Sequence, residues 1–157
     1  MLQTFRPMPT FVMELGSGLA AAFSLLAASI VLHYKTMIWT RSWLSQSGTR
    51  RRSGALLGMA TMIGAQLVSV LLYAIAYLVL GEAGGVGSLE GEIQGGFMDP
   101  LYFSLMSYTT LGVGDIYPLG GFRIISGIEA LNGFALIGWT ASFAYSLLRD
   151  GRDEHLP

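Results

Sequence analysis

A short glycine-punctuated segment, residues 109–115 with the sequence TTLGVGD, contains the residues best suited to chemistry. Gly112 and Gly114 alternate with larger residues, and glycine readily adopts the positive φ angles that turn successive carbonyl groups to one side. Carbonyl oxygens aligned in this way can replace the water around a desolvated cation without adding charge. Thr110 adds a hydroxyl oxygen at one end of the row. The spacing therefore predicts a series of oxygen ligands for a cation.

Other kinds of chemistry find little support in the chain. The sequence has no cysteine and only two histidines, so thiolate metal sites and disulfides are excluded and a histidine cluster is not expected. The glycines at 84–87 lack the following lysine of a nucleotide-binding loop. We find no pairing of a nucleophile with a base and expect neither an enzyme nor a cofactor. With a net charge of −1 and no basic face, the chain is not expected to bind nucleic acid.

Composition indicates a membrane protein, because 52% of the residues are apolar, only 12% are charged and the mean hydropathy is +0.55. Three apolar runs, residues 15–34, 53–80 and 124–148, each reach the ~20 residues that a membrane-spanning helix needs. A shorter piece, residues 101–108, gives about two helical turns, with Asp99 as its predicted N-cap. Because non-helical backbone at membrane depth must line a wet cavity or be buried in protein, this piece and the TTLGVGD segment predict a re-entrant loop.

The loops predict the orientation of the chain in a cell membrane. Basic residues cluster between the first two apolar runs, at Lys35, Arg41 and 50–52. In residues 81–99, by contrast, all of the charged side chains are acidic. The basic loop is expected to be cytoplasmic. A multi-pass protein with its N-terminus outside and its C-terminal tail, residues 149–157, in the cytoplasm follows, with membrane lipids around it.

Residues 109–118, TTLGVGDIYP, resemble the potassium channel signature TTVGYGD-x-YP, and the similarity extends over residues 54–148. The resemblance implies an all-α membrane fold of three spanning helices with a re-entrant pore helix and an extended selectivity filter. It places K⁺ at Thr110, Leu111, Gly112 and Val113, with Gly114 completing the filter. It also assigns an outer-mouth acid, Asp115, and three filter-supporting residues, Tyr102, Phe103 and Thr109.

On this basis the chain divides into a first helix with a basic loop (1–53), an ion channel pore domain (54–148) and a tail (149–157). The pore domain would comprise an outer helix (54–80), an outer loop (81–98), a pore helix (99–109), a filter (110–115) and an inner helix (122–148). The glycine-rich loop is expected to be flexible. Since one filter segment cannot enclose a pore, a homotetramer is expected.

Two departures from the family pattern bear on selectivity. Val113 replaces the usual tyrosine and has no hydroxyl to tie the filter to the aromatic pair. Met106 stands where some members have a carboxylate that bonds to the filter acid. Both changes are expected to loosen the filter. A potassium-preferring channel and a weakly selective monovalent cation channel therefore both remain, as does a non-conducting sensor or accessory protein that uses the pore fold.

The predicted inner helix contains the remaining candidates. Gly133 and Gly138 are either gating hinges or sites of close helix packing. The residues expected to line the cavity below the filter are Phe134, Ile137, Ala141 and Tyr145. Glu129 is either a cation-attracting or filter-supporting residue, or a protonated structural glutamate. No arginine-rich voltage sensor is apparent and the tail is short, so gating would depend on the pore, the first helix, lipids or a separate regulatory subunit.

Overall fold

The computed structural model describes residues 8–47 and 51–149 and contains four helices and two short strands. The elements in chain order are α1 (Met8–Gln46), α2 (Arg51–Ala83), β1 (Gly87–Gly91), α3 (Met98–Tyr108), β2 (Ile116–Gly120) and α4 (Phe122–Arg149). The tail at 150–157 and Arg50 of the predicted cytoplasmic loop lie outside the described residues.

Three of the helices are long and apolar enough to cross a membrane, namely Glu14–Gln46 within α1, Ser53–Ala83 within α2 and Phe122–Arg149, which is α4. Each contains a long stretch nearly free of charge, so its side chains suit hydrocarbon. The helical conformation satisfies its backbone hydrogen bonds internally. The predicted all-α membrane fold is confirmed. At 11 residues, α3 is too short to span.

Helix α1 extends well beyond the apolar run from which it was predicted. The sequence indicated residues 15–34, whereas the helix has 39 residues and a length of about 58 Å at ~1.5 Å per residue. This exceeds the hydrocarbon thickness of a bilayer, about 30 Å. The added C-terminal part carries exposed Trp39 and Trp43, residues typical of membrane interfaces. The apolar run therefore marked the membrane-embedded part of the helix and not its ends.

The glycine-rich segment between α2 and α3 contains a strand where a flexible loop was expected. β1 pairs antiparallel with β2, with Gly87 opposite Gly120 and Gly91 opposite Ile116. Glu92 N extends the pairing by donating to Asp115 O at 3.0 Å. Gly91 has a φ of +119°, and a Cβ there would clash with the Asp115 carbonyl oxygen, so the pairing requires glycine. The strand partner is distant in sequence, which is why local periodicity did not predict it.

The core of the chain lies where α3 packs between α2 and α4. Tyr77 of α2 makes edge contacts with Phe103 of α3 and Phe122 of α4, each with ring centroids 5.1 Å apart. Helix α1 contributes Ala22 to this core and is joined to α2 by a hydrogen bond of 2.8 Å between Ser29 and Ser69. The buried aromatic residues thus hold the short helix in place between the two longer ones.

Candidate functional site

The candidate filter, residues 110–115, connects the end of α3 to the start of β2. The helix before it begins one residue earlier than predicted, at Met98, with Phe97 at the N-cap and no side-chain capping bond. The prediction of Asp99 as N-cap is therefore wrong. Its carboxylate instead accepts hydrogen bonds from the backbone amides of Gln94 at 3.1 Å and Gly95 at 2.6 Å. Asp99 closes the loop leading into the helix, because those amides have turned toward it.

The backbone of the candidate filter alternates in conformation. Thr110, Gly112 and Gly114 have φ angles of 58°, 55° and 88°, so every second residue is in the left-handed region. Glycine adopts such angles easily, but a β-branched residue such as Thr110 is strained there. Strain of this kind persists only where the surrounding structure imposes it, and it concentrates at functional sites. The alternation is the geometry that the glycine spacing predicted.

The last turn of α3 holds the amide groups at the start of the candidate filter. Thr110 N donates to Ser107 O at 2.9 Å, while Leu111 N and Gly112 N both donate to Met106 O, at 3.0 and 3.2 Å. Among the described residues, no hydrogen bond is donated to the carbonyl oxygens of residues 110–114. The amides of residues 110–112 thus donate to carbonyl oxygens of α3, and the carbonyl oxygens of residues 110–114 are available to another ligand.

At the outer end, Asp115 has a hydrogen-bond partner that the sequence analysis missed. The Tyr102 hydroxyl donates to Asp115 Oδ2 at 2.8 Å, and Ile116 N donates to Oδ1 at 3.0 Å. The bond from Tyr102 holds the pKa of the Asp115 carboxyl below its ordinary value and raises the pKa of the Tyr102 phenol. Met106 provides no carboxylate for Asp115, as predicted, and the bond to Asp115 comes instead from Tyr102, one of the residues expected to support the filter. The two residues are 13 positions apart and meet only because the chain turns back after α3.

An open cavity of about 410 Å³ adjoins the candidate filter. Val113, which is 59% exposed, borders it together with Tyr102, Phe103 and Met106. Phe103 is otherwise part of the core and packs against Tyr77, so it mainly braces α3. Thr109 caps the same helix, because its hydroxyl donates to Leu105 O at 2.7 Å. Val113 therefore has open space beside it.

The predicted cavity-lining residues of α4 all face away from the core of their own chain. All four side chains, those of Phe134, Ile137, Ala141 and Tyr145, are exposed. The two glycines of this helix differ in their surroundings. A Cβ at Gly133 would clash with the carbonyl oxygen of Tyr108 at the end of α3, whereas one at Gly138 would meet nothing within 4 Å. Close helix packing is thus sufficient to explain why position 133 is glycine. Packing does not explain the glycine at position 138, so Gly138 is the stronger hinge candidate.

Comparisons with known proteins agree with this arrangement. The chain matches an ion channel family model over residues 62–150, which include most of α2 and all of α3, the candidate filter and α4. It is 32% identical over 84 residues to the inward rectifier potassium channel Kirbac3.1 of Paramagnetospirillum magnetotacticum. That similarity covers 53% of this chain and only 27% of the relative. No solved structure gives a significant match. Because the family model matches more than half of the residues of this chain, the chain belongs to the ion channel family.

Proposed function

We propose that the chain is a subunit of a potassium-preferring channel that conducts K⁺ passively across a cell membrane. The observation that carries this proposal is the alternation of positive φ angles at Thr110, Gly112 and Gly114, which suits a row of carbonyl ligands. Family membership supports ion conduction, and the potassium channel among its relatives supports K⁺ as the ion. In this proposal the K⁺ ions bind at the oxygens of Thr110, Leu111, Gly112 and Val113.

The pore is proposed to be homotetrameric because a single chain offers only one wall of an ion path. The candidate filter is exposed on the isolated chain, with Leu111 at 65% and Val113 at 59% exposure. Four copies around one axis would bring four candidate filters face to face. The exposed side of α4 that carries Phe134 and Tyr145 would then line the space below them. The N-terminus is placed outside and the tail in the cytoplasm, as the loop charges indicate.

A weakly selective cation channel is the second candidate, and the cavity that Val113 borders favours it. Space next to a filter residue lets the filter deform, and rigidity is one proposed source of K⁺ selectivity. The hydrogen bond from Tyr102 to Asp115 acts in the other direction, because it ties the outer end of the segment to α3. We give this second effect more weight and therefore propose a preference for K⁺.

Flux into liposomes tests the proposal. The purified chain, reconstituted as a verified tetramer, should take up K⁺ passively and be blocked by Ba²⁺. Gly112→Ala should lower uptake about fivefold or more, because an L-residue at φ +55° costs roughly 1–2 kcal/mol although a Cβ would meet no atom within 4 Å. Gly64→Ala, at a helical glycine of α2 that is equally open, is the matched control and should conduct normally. Wild-type uptake no greater than that of empty vesicles would overturn the proposal.

A further inference from the structure

Glu129 lies at the junction of three helices, fully buried within α4. Its Oε2 atom accepts a hydrogen bond of 2.7 Å from the Tyr77 hydroxyl on α2. Its Oε1 atom lies 2.5 Å from the Ser104 hydroxyl oxygen on α3. The same Ser104 oxygen is 2.9 Å from the backbone carbonyl of Val70, which is part of α2. One carboxyl group therefore connects the short helix to both of its long neighbours.

The protons available in this cluster decide the state of the carboxyl. Ser104 has one hydroxyl proton, and the Val70 carbonyl can only accept. If Glu129 were ionised, Ser104 would face two acceptors with a single proton, and one short contact would lack a hydrogen bond. If Oε1 carries a proton, Glu129 donates to Ser104 and Ser104 donates to Val70 O. Tyr77 then donates to Oε2, and every contact has its own proton.

The side chains that the structure describes around Glu129 give an ionised carboxylate hydrogen bonds but no counter-charge. Within the part of the chain that the structure describes, the titratable side chains that interact electrostatically with Glu129 are Tyr73 and Tyr77 on α2 and Tyr108 on α3. None of these tyrosines carries a positive charge. Ser104 cannot supply one, and neither can Asn132, the neighbour of Glu129 on α4. A buried charge without a counter-charge is costly, and a carboxyl in such a place takes up a proton instead. Charge and hydrogen bonding thus agree.

We infer that Glu129 is a positioning residue whose protonated carboxyl fixes α3, and through α3 the candidate filter. Ser104 lies one helical turn before Tyr108, and the carbonyl oxygens of Met106 and Ser107 hold the amides of residues 110–112. Any displacement of α3 would therefore be transmitted directly to those amides. The consequence for ion flux rests on the proposed function, whereas the protonation state does not.

Infrared difference spectroscopy of the reconstituted full chain tests the protonation state independently of flux. Subtracting the spectrum of Glu129→Gln from that of the wild type at neutral pH should give the carbonyl stretch of a protonated carboxylic acid. Glu82→Gln, which removes an exposed glutamate at the end of α2, is the matched control and should lack that band. Carboxylate bands in the Glu129→Gln difference spectrum would overturn the inference, whether or not the chain conducts.

K⁺ flux from the same preparations tests the positioning role. Glutamine can accept from Tyr77 and donate to Ser104, so Glu129→Gln should keep flux within about twofold of the wild type. Alanine leaves both partners without a bond, so Glu129→Ala should lower flux about tenfold or more. If assembled Glu129→Gln tetramers lose as much flux as Glu129→Ala, or if neither variant differs from wild type, the positioning role is wrong. The infrared result holds even if Glu129→Ala does not assemble.

Discussion

At the outer end of the candidate filter, a single phenol determines the state of Asp115. The Tyr102 hydroxyl donates to its carboxylate, and this bond lowers the carboxyl pKa. A carboxyl with a lowered pKa stays ionised, and keeps its bond, until the pH falls through that lowered value. The negative charge of Asp115 should therefore survive acidification that would neutralise an ordinary aspartate.

Tyr102→Phe removes this bond and should move the acid sensitivity of the channel to higher pH. The pKa of Asp115 should return toward its ordinary value, since its largest perturbing partner is lost. K⁺ flux into liposomes, measured as the external pH is lowered, should then decline at a higher pH than in the wild type. Tyr117→Phe, which removes an exposed phenol on β2, should leave the profile unchanged. Superimposable acid profiles for Tyr102→Phe and wild type would contradict the assigned role of Tyr102.

For single residues, the sequence predicted the backbone conformation of the glycines correctly and missed side-chain contacts. Gly112 and Gly114 could be assigned positive φ because glycine adopts it easily. Thr110 could not, since a β-branched residue disfavours that region and adopts it here only under tertiary constraint. The bond between Tyr102 and Asp115 was likewise missed. Met106 stands where some family members have a carboxylate that bonds to the filter acid, and its presence does not show that Tyr102, one helical turn earlier, bonds to Asp115 instead.

Among the elements, α1 is held to the rest of the chain by a buried polar junction. The Thr140 hydroxyl of α4 accepts from Gln66 Nε2 of α2 at 2.7 Å and donates to Leu136 O at 2.9 Å. His33 of α1 brings its Nε2 atom within 3.4 Å of the same oxygen. Three helices therefore share one side-chain oxygen. The predicted spans gave no sign of this junction, because an apolar run does not show which of its polar side chains meet those of another helix.

Thr140→Val should weaken this junction without changing the volume of the side chain appreciably. The Gln66 amide and His33 would lose their shared partner, at a cost of about 1–3 kcal/mol for a buried polar group left unsatisfied. Thermal unfolding in detergent should report the loss as a lower midpoint. Thr36→Val is the matched control, because the Thr36 hydroxyl bonds only to Leu32 O of its own helix. If the two variants are equally stable, the junction contributes nothing.

The contact between α3 and α4 leads to a second prediction about elements. A Cβ at Gly133 would clash with the Tyr108 carbonyl oxygen, and neither backbone can move without displacing a helix. Gly133→Ala should therefore destabilise the folded chain by about 1–3 kcal/mol, as overpacking does, and reduce flux through the displaced α3. Denaturant unfolding in detergent measures the first effect and liposome flux the second.

Gly138→Ala provides the comparison, since its Cβ would meet nothing within 4 Å. It should unfold like the wild type, and a change in its gating alone would identify Gly138 as a hinge. Equal stability of the Gly133→Ala and Gly138→Ala chains would contradict the packing explanation for Gly133.

Helices and strands were predictable where a long run of the sequence is uniformly apolar. They were not predictable where an element forms only by pairing with a segment distant in the sequence. Long charge-poor runs predicted α2 and α4 to within a few residues. The limits of α1 were missed because its polar and aromatic ends stay helical outside hydrocarbon. β1 was missed because its partner strand follows α3 and the candidate filter, far along the chain. The Asp99 error has a local cause, since its carboxylate caps the loop before the helix instead of the helix.

For the whole molecule, the parts form one support for the candidate filter. The pair of strands anchors its outer end, α3 anchors its inner amides, and α2 and α4 hold α3 through Tyr77, Ser104 and Glu129. Helix α1 packs against this assembly and leaves the candidate filter and the adjoining side of α4 exposed. A single chain thus presents an exposed candidate filter with no opposite wall, which is the arrangement that the proposed tetramer requires.

The central claim, a preference for K⁺, is tested most directly by a reversal potential. Tetramers in a planar bilayer would be measured with K⁺ on one side and an equal concentration of Na⁺ on the other. The alternating backbone and the bond between Tyr102 and Asp115 predict that the current reverses at a potential showing higher permeability for K⁺ than for Na⁺. A reversal potential of zero would contradict K⁺ preference and indicate the weakly selective pore, and the absence of any current would contradict conduction itself.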